Sequence, residues 1–173
     1  MSICLKKCCT AYQCICNKLS GLDNTLVPLF LRFCLAWEFL EAGLEKLHGD
    51  NWFGDITFPF PFSLFSASFN WNIATYFELI GGIALLIGLA TRFFSLSLIV
   101  ITIVAIISVH FPNNAQSLHD FLLGYRIIDE NQDGFGNYKL PLIFLIMLFP
   151  LVVKGSGKIS LDHLIKKYLL RLN

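Results

Sequence analysis

Four long apolar stretches constrain the fold of this sequence more than any other feature. Hydrophobic residues make up 55% of its 173 residues and charged residues only 14%, whereas a soluble domain carries about 25% charged residues. Since so few charges cannot cover a globular core, lipid must surround much of the surface. A hydrocarbon core about 30 Å thick needs roughly 20 helical residues. We therefore predict an all-α, integral membrane four-helix bundle with spans at about 26–47, 71–90, 93–111 and 138–154.

The placement of positive charge predicts the orientation of these spans, because cytoplasmic loops retain Lys and Arg. With a cytoplasmic N-terminus, nine of the 13 Lys and Arg residues fall on the cytoplasmic side and three on the outer side, with Arg32 inside the first span. We therefore predict that both termini are cytoplasmic and that residues 48–70 and 112–137 form outer loops. The formal net charge of +1 gives no basic face for nucleic acid.

Two cytoplasmic segments flank the predicted membrane domain, which covers residues 21–157. Residues 1–20 are rich in cysteine, and soft-metal binding, lipidation or no dedicated role are all compatible with that composition. Residues 158–173 carry apolar side chains at helical spacing with lysines between them, a pattern typical of an amphipathic helix on a membrane surface. The N-terminal cysteines in question are Cys4, Cys8, Cys9, Cys14 and Cys16.

Ionisable side chains recur along one face of the first predicted span. Glu38, Glu41, Glu45 and His48 lie within an arc of about 80° on a helix. Glu78 in the second span is expected at a similar depth, so the two helices can present carboxylates to each other. Since a charge in the bilayer is costly, we expect these groups to face the bundle interior or a wet vestibule. The candidate polar membrane site is thus Glu38, Glu41, Glu45 and Glu78, with pairing to Arg32 or Lys46 as the structural alternative.

Three histidines are predicted on the outer side: His48, His110 and His119. Imidazole and carboxylate ligands suit copper, zinc, iron or nickel, so these histidines are candidate metal ligands beside the glutamates. Their spacing matches no known ligand motif, and ordinary interfacial histidines are the alternative. No catalytic motif was found in the chain, which leaves enzymatic activity open.

Several short runs resemble the DoxX family of small four-helix membrane proteins over about residues 26–165. They are LRF at 31–33, EFLEAGLEKL at 38–47, FELIGG at 77–82, GLATR at 88–92 and GSGKISLD at 155–162. The acidic first helix, Pro59 and Pro61 of the aromatic loop and the ending LDH at 161–163 are similar to the branch associated with copper-binding ribosomal peptides, the bufferin-like systems.

The resemblance implies a multi-pass protein of the cell inner membrane with an accessory role. That role is maturation, export or metal handling of a small copper-binding peptide, and the expected partners are the lipid bilayer and that peptide. The first alternative is the membrane subunit of a quinone-linked oxidoreductase. Some DoxX relatives are linked to quinone redox chemistry through a partner subunit, so this alternative implies such a partner. A proton or cation transporter is the second alternative. Quinone and copper are accordingly the candidate cofactors.

Overall fold

The computed structural model describes residues 12–13, 16, 25–111 and 138–169. Within these ranges the chain is helical and contains no strand, which confirms the predicted all-α fold for this part. One π-helical turn, Ile106–His110, extends the third helix, and two 3-10 turns, Phe53–Asp55 and Phe62–Leu64, lie between the first two. The five α-helices are α1 (Leu26–His48), α2 (Ala67–Ile87), α3 (Thr91–Ala105), α4 (Lys139–Lys154) and α5 (Leu161–Leu169).

The bounds of α2 differ from the predicted span 71–90 for local reasons. The helix begins at Ala67 because the Ser66 side chain caps it, accepting the Phe69 N–H at 3.2 Å. It ends at Ile87 because Gly88 adopts a left-handed conformation with φ +72°. Three residues therefore link α2 to α3, and Thr91, which was predicted to lie in the turn, is the first residue of α3.

The four long helices pack in chain order. α1 contacts α2, α2 contacts α3, α3 contacts α4, and α4 returns to α1. Large apolar side chains on their outer faces remain exposed, among them Phe30 and Trp37 on α1 and Phe149 on α4. Such extensive apolar exposure is typical of a surface that lipid or another protein covers. The buried core consists of Leu35, Ala36, Phe39, Leu85, Leu98, Leu148 and Leu151.

Among the described residues, two helices are long and apolar enough to cross a membrane. They are α2 with 21 residues and α3 with its π-helical extension, Thr91–His110, with 20 residues. α1 is longer, at 23 residues, but it carries five charged side chains. α4 has 16 residues, which span about 24 Å at 1.5 Å per residue. The predicted four-span membrane bundle with cytoplasmic termini stays a prediction.

Glycines bring α2 close to both of its neighbours. A Cβ added at Gly82 would lie 2.8 Å from Cγ of Leu40 on α1, and one at Gly81 would lie 3.2 Å from Leu98 on α3. Glycine thus allows the backbones to approach closely, as small residues do in membrane helix pairs. Ala84 on the same helix is also buried, whereas Gly88, four residues on, lies beyond the helix end.

Arg32 joins three parts of the chain through its guanidinium group. Its side chain is only 2% exposed, and it donates to the carbonyl oxygens of Leu85 and Leu86 at 2.7 and 3.0 Å. It also donates to the carbonyls of Ser156 and Ile159 at 2.7 and 2.8 Å. The last carbonyls of a helix lack partners within it, so Arg32 satisfies the end of α2. The buried partners of Arg32 are thus backbone carbonyls, and none of the described hydrogen bonds joins it to the glutamates of the first span.

Asp162 fastens the start of α5 to the link between α2 and α3. Its carboxylate accepts the N–H groups of Ala90 and Thr91 at 2.7 and 3.0 Å. Its own N–H donates to the Gly88 carbonyl at 2.9 Å. A carboxylate at a helix N-terminus satisfies unpaired donors and complements the helix dipole. The segment after α4 is therefore held against the end of α2 and the start of α3.

We expect Arg32→Met to lower the free energy of unfolding by at least about 3 kcal/mol, because buried carbonyls lose charged donors. Arg32→Lys should recover only part of this loss, since one ammonium group cannot reach all four carbonyls. Denaturant titration in mixed micelles measures both, with exposed Arg92→Met as the control. Equal stability of the Arg32 and Arg92 variants would contradict this role.

We expect Gly82→Ala to destabilise the chain by about 1–3 kcal/mol, because its methyl group collides with Leu40. Gly54→Ala is the matched control, as a Cβ there meets no atom within 4 Å. Thermal unfolding of the two variants in the same detergent compares them. If Gly82→Ala unfolds at the temperature of Gly54→Ala, the α1–α2 interface tolerates wider separation than the structure indicates.

Candidate functional site

A buried ion pair connects α1 to α2. Nζ of Lys46 lies 2.8 Å from Oε2 of Glu78, and the two side chains are 17% and 8% exposed. Lys46 also donates weakly to the Ala42 carbonyl at 3.4 Å. A buried carboxylate requires a compensating charge, and here the lysine on the last turn of α1 supplies it.

The close contact of α1 with α2 places this pair. A Cβ added at Gly43 would lie 2.8 Å from Cγ of Leu79, the residue that follows Glu78. Lys46 stands three residues beyond Gly43, so it lies near the same face of α1. The short distance between the helices thus brings the lysine within reach of the carboxylate.

Aromatic rings from the loop between α1 and α2 pack beside the ion pair. The Phe53 ring meets the Trp71 ring edge-on, with centroids 5.0 Å apart, and lies 5.1 Å from the Phe58 ring. The loop is fixed by two side-chain amides: Asn51 accepts the Phe53 N–H, and Asn70 donates to the Phe62 carbonyl, both at 3.0 Å. The loop residues therefore form a packed wall.

These elements enclose a pocket of about 200 Å³. Aromatic loop residues form one side, α2 contributes Glu78 and Asn70, and the end of α3 forms the remaining side. A cavity of 150 Å³ is enough for benzene, whereas drug-sized ligands occupy 300–1,000 Å³. The pocket therefore has room for one ring-sized group. The polar and aromatic residues that line it include Lys46, Trp52, Phe53, Glu78, Ser108 and His110.

The π-helical end of α3 supplies two of the polar groups. Ser108 and His110 both lie in the segment Ile106–His110 and line the pocket. The Ser108 hydroxyl is buried and has no hydrogen-bond partner among the residues that the structure describes. Buried polar groups are nearly always paired, and an exception calls for an explanation such as a missing ligand. π-helical turns also occur frequently at functional sites.

The four glutamates of the predicted polar site differ in burial. Glu78 is buried, Glu38 is half-buried, and Glu41 and Glu45 are exposed. The group facing Glu78 is thus a lysine, whereas the sequence had indicated a second carboxylate. Two ionised carboxylates would repel each other in a buried site, while a lysine and a carboxylate attract. Glu78 pairs with Lys46, as the structural alternative expected. A polar membrane site formed by all four glutamates stays a prediction.

The three predicted histidine ligands do not form a described cluster. His48 is exposed, with its Nδ1 2.9 Å from the Leu44 carbonyl oxygen, while His110 lines the pocket. His119 lies outside the described residues, as do the N-terminal cysteines other than Cys16. Among the residues that the structure does describe, no three His, Cys, Asp or Glu side chains lie close enough to hold a metal ion.

Sequence reasoning missed most of this pocket. The density of aromatic residues in 52–62 was the available signal for the wall, since aromatic side chains dominate ligand pockets. Ser108 gave no signal, because a serine in an apolar helix commonly bonds to a preceding carbonyl. The π-helical turn that distinguishes it depends on tertiary packing.

Comparison with known proteins shows two similarities. Residues 27–111 match the family described as DoxX. An uncharacterised protein of Haemophilus influenzae is 44% identical over 152 residues, which cover 87% of this chain and 90% of that protein. No solved structure matches.

We expect Lys46→Met to lower the free energy of unfolding by about 3–5 kcal/mol, because it leaves the Glu78 carboxylate buried without its cation. The double variant Lys46→Met/Glu78→Met should recover much of that loss. A double-mutant cycle from denaturant titrations in micelles measures the coupling. Exposed Glu41→Gln is the control, with a change within about 0.5 kcal/mol. If Lys46→Met is as stable as Glu41→Gln, the ion pair does not hold α1 to α2.

Proposed function

The chain belongs to the DoxX family of membrane proteins, and from this premise we propose that its aromatic pocket binds a quinone headgroup. The chain would then act as the membrane subunit of a quinone-linked oxidoreductase. The observation that carries this proposal is one ring-sized, largely apolar pocket lined by aromatic rings, by both members of an ion pair and by Ser108, whose hydroxyl has no partner among the described residues.

The shape and lining of the pocket suit a quinone ring. Its volume of about 200 Å³ holds one ring with small substituents. Trp52, Phe53 and Phe58 offer ring faces and edges, against which a flat ligand stacks favourably. Aliphatic side chains from α2 and α3 complete the lining, so a hydrocarbon tail would meet apolar surroundings where it leaves the pocket.

The polar groups suit the two carbonyl oxygens of a quinone. The Ser108 hydroxyl can donate one hydrogen bond, and the Lys46 ammonium group can donate another while it stays paired with Glu78. These donors stand among apolar groups, where a hydrogen bond fixes the orientation of a ligand.

A bound quinone would supply two-electron, two-proton redox chemistry. The residues of the chain bind and orient the ring, exclude water from it and hold charge beside it. Glu78 is the carboxylate that lines the pocket, so it is placed to exchange a proton with a ligand oxygen there. Electrons must come from a partner, because the chain carries no motif for a second redox group.

The proposal includes a multi-pass arrangement in the inner membrane with cytoplasmic termini. The apolar length of α2 and of Thr91–His110 supports it, as do the exposed apolar faces of α1 and α4. The accessory role for a copper-binding peptide stays a finer prediction that rests on the sequence resemblance, and the relative from Haemophilus influenzae is uncharacterised. The transporter alternative stays a prediction as well.

We expect purified full-length protein, reconstituted with a benzoquinone that bears a short alkyl tail, to retain the quinone through gel filtration. Ala105→Phe should reduce retention at least tenfold, because the added ring fills the pocket that Ala105 lines. Ile107→Phe, at a side chain that is 55% exposed, is the control. Extraction and absorbance spectroscopy measure the bound quinone.

Two further variants test the polar groups. Ser108→Ala should weaken binding about threefold to tenfold, the effect of one hydrogen bond, and Glu78→Gln should weaken it relative to Glu41→Gln. Wild-type protein that retains no quinone, or Ala105→Phe protein that retains as much as the control, would exclude the site.

A further inference from the structure

A second cavity lies at the other end of α1, where the segment after α4 packs against the link between α2 and α3. Its volume is about 390 Å³. Pro28 at the start of α1, Ala90 and the residues 154–158 all line it, together with the first turns of α5. Neither the ion pair nor the aromatic loop contributes, so this cavity is separate from the quinone site.

The lining of this cavity is strongly cationic. Four of the described lining residues carry a positive charge, one carries a negative charge, and one is a histidine. The negative charge is committed elsewhere, since both carboxylate oxygens of Asp162 accept backbone N–H groups at the start of α3. The formal charges of the described lining residues sum to about +3. The cations are Arg92, Lys154, Lys158 and Lys166, and the histidine is His163.

The chain turn after α4 makes room for these cations. Gly155 has a φ of +84°, a conformation that other residues rarely adopt, and a Cβ added there would lie 3.3 Å from Nε of Arg92. Arg92 itself donates to the Val153 carbonyl at 3.1 Å. The arginine and the turn thus form one wall together.

The helix α5, which lines the cavity with Asp162, His163 and Lys166, also carries a row of apolar side chains that the described part of the protein does not cover. The exposed fraction of these residues runs from 37% to 65%. Lys166 and Lys167 lie on the same short helix, so α5 is sharply divided into an apolar and a basic side. Such a helix lies in a membrane interface with its apolar side in the acyl region. The apolar residues are Leu161, Leu164, Ile165, Tyr168 and Leu169.

We propose that this cavity binds the phosphate group of an anionic membrane lipid. Lysine and arginine side chains converge on one space, as they do in phosphate sites, and basic pockets between membrane helices hold lipid head groups. The exposed apolar side of α5 favours lipid as the source, since a lipid whose acyl chains cover that side would meet the cationic cavity on the same helix. The volume also exceeds that of inorganic phosphate alone.

The test titrates the full-length protein in mild detergent with short-chain phosphatidylglycerol and follows the thermal unfolding temperature. We expect a saturable rise with phosphatidylglycerol and a much weaker one with phosphatidylcholine, whose head group carries a compensating cation. Equal responses to the two lipids would overturn the proposal. Inorganic phosphate is the third probe, and if it binds as tightly and displaces the lipid, free phosphate is the ligand and the lipid assignment fails.

Variants on α5 provide a matched pair. Lys166→Gln should weaken phosphatidylglycerol binding about fivefold, while Lys167→Gln, adjacent on the helix but not lining the cavity, should leave it within about twofold. The double variant Lys158→Gln/Lys166→Gln should weaken binding more than tenfold. If Lys166→Gln and Lys167→Gln have equal effects, diffuse surface charge explains the binding and the site is wrong.

Salt dependence gives a second measurement on the same samples. Wild-type affinity for phosphatidylglycerol should fall as salt rises, and it should fall less steeply in the double variant, because two charges no longer contribute. Identical salt dependence would contradict the proposed role of Lys158 and Lys166. Quinone retention is expected to be unchanged in these variants, which separates failure of this proposal from failure of the quinone site.

Discussion

The guanidinium group of Arg32 is the interaction on which the rest of the structure depends. It lies at 2% exposure among four carbonyl oxygens that come from the end of α2 and from the segment after α4. Without it, these carbonyls would lose a charged donor, and each one left buried and unpaired would cost about 1–3 kcal/mol. Since Arg32 stands on α1, one side chain joins α1, the end of α2 and the segment between α4 and α5 at one end of the described structure. The cationic cavity lies beside that junction, and the aromatic pocket lies at the other end of α1.

Much of the fold could be predicted from the sequence because apolar length alone identifies long helices. The prediction 138–154 agrees closely with α4, and 26–47 agrees with α1. Helix ends were less predictable where they depend on single residues, as with the cap at Ser66 and the left-handed Gly88. Arg32 was assigned to the first span, but periodicity could not show that its partners are carbonyl groups from distant parts of the chain.

The candidate site could be predicted only in part. Spacing on a helix singled out Glu78 and offered Lys46 as one possible partner, and the structure pairs these two side chains. It could not show that Glu41 is exposed. The acidic face of α1 covers an arc of about 80°, and only one edge of that arc contacts α2. Ser108 could not be found from sequence at all, since its unpaired hydroxyl depends on the local π-helical geometry. The predicted His119 lies outside the described residues.

The π-helical turn at the end of α3 also determines how this part of the chain tolerates changes in length. A π turn holds more residues per turn than an α turn, and it commonly corresponds to one residue inserted into a helix. Successive residues of a regular α turn lie about 100° apart, so removing a single residue from Ile106–His110 would change which side chains of this segment line the pocket. The lining of the pocket therefore depends on the number of residues in this turn as well as on their identity.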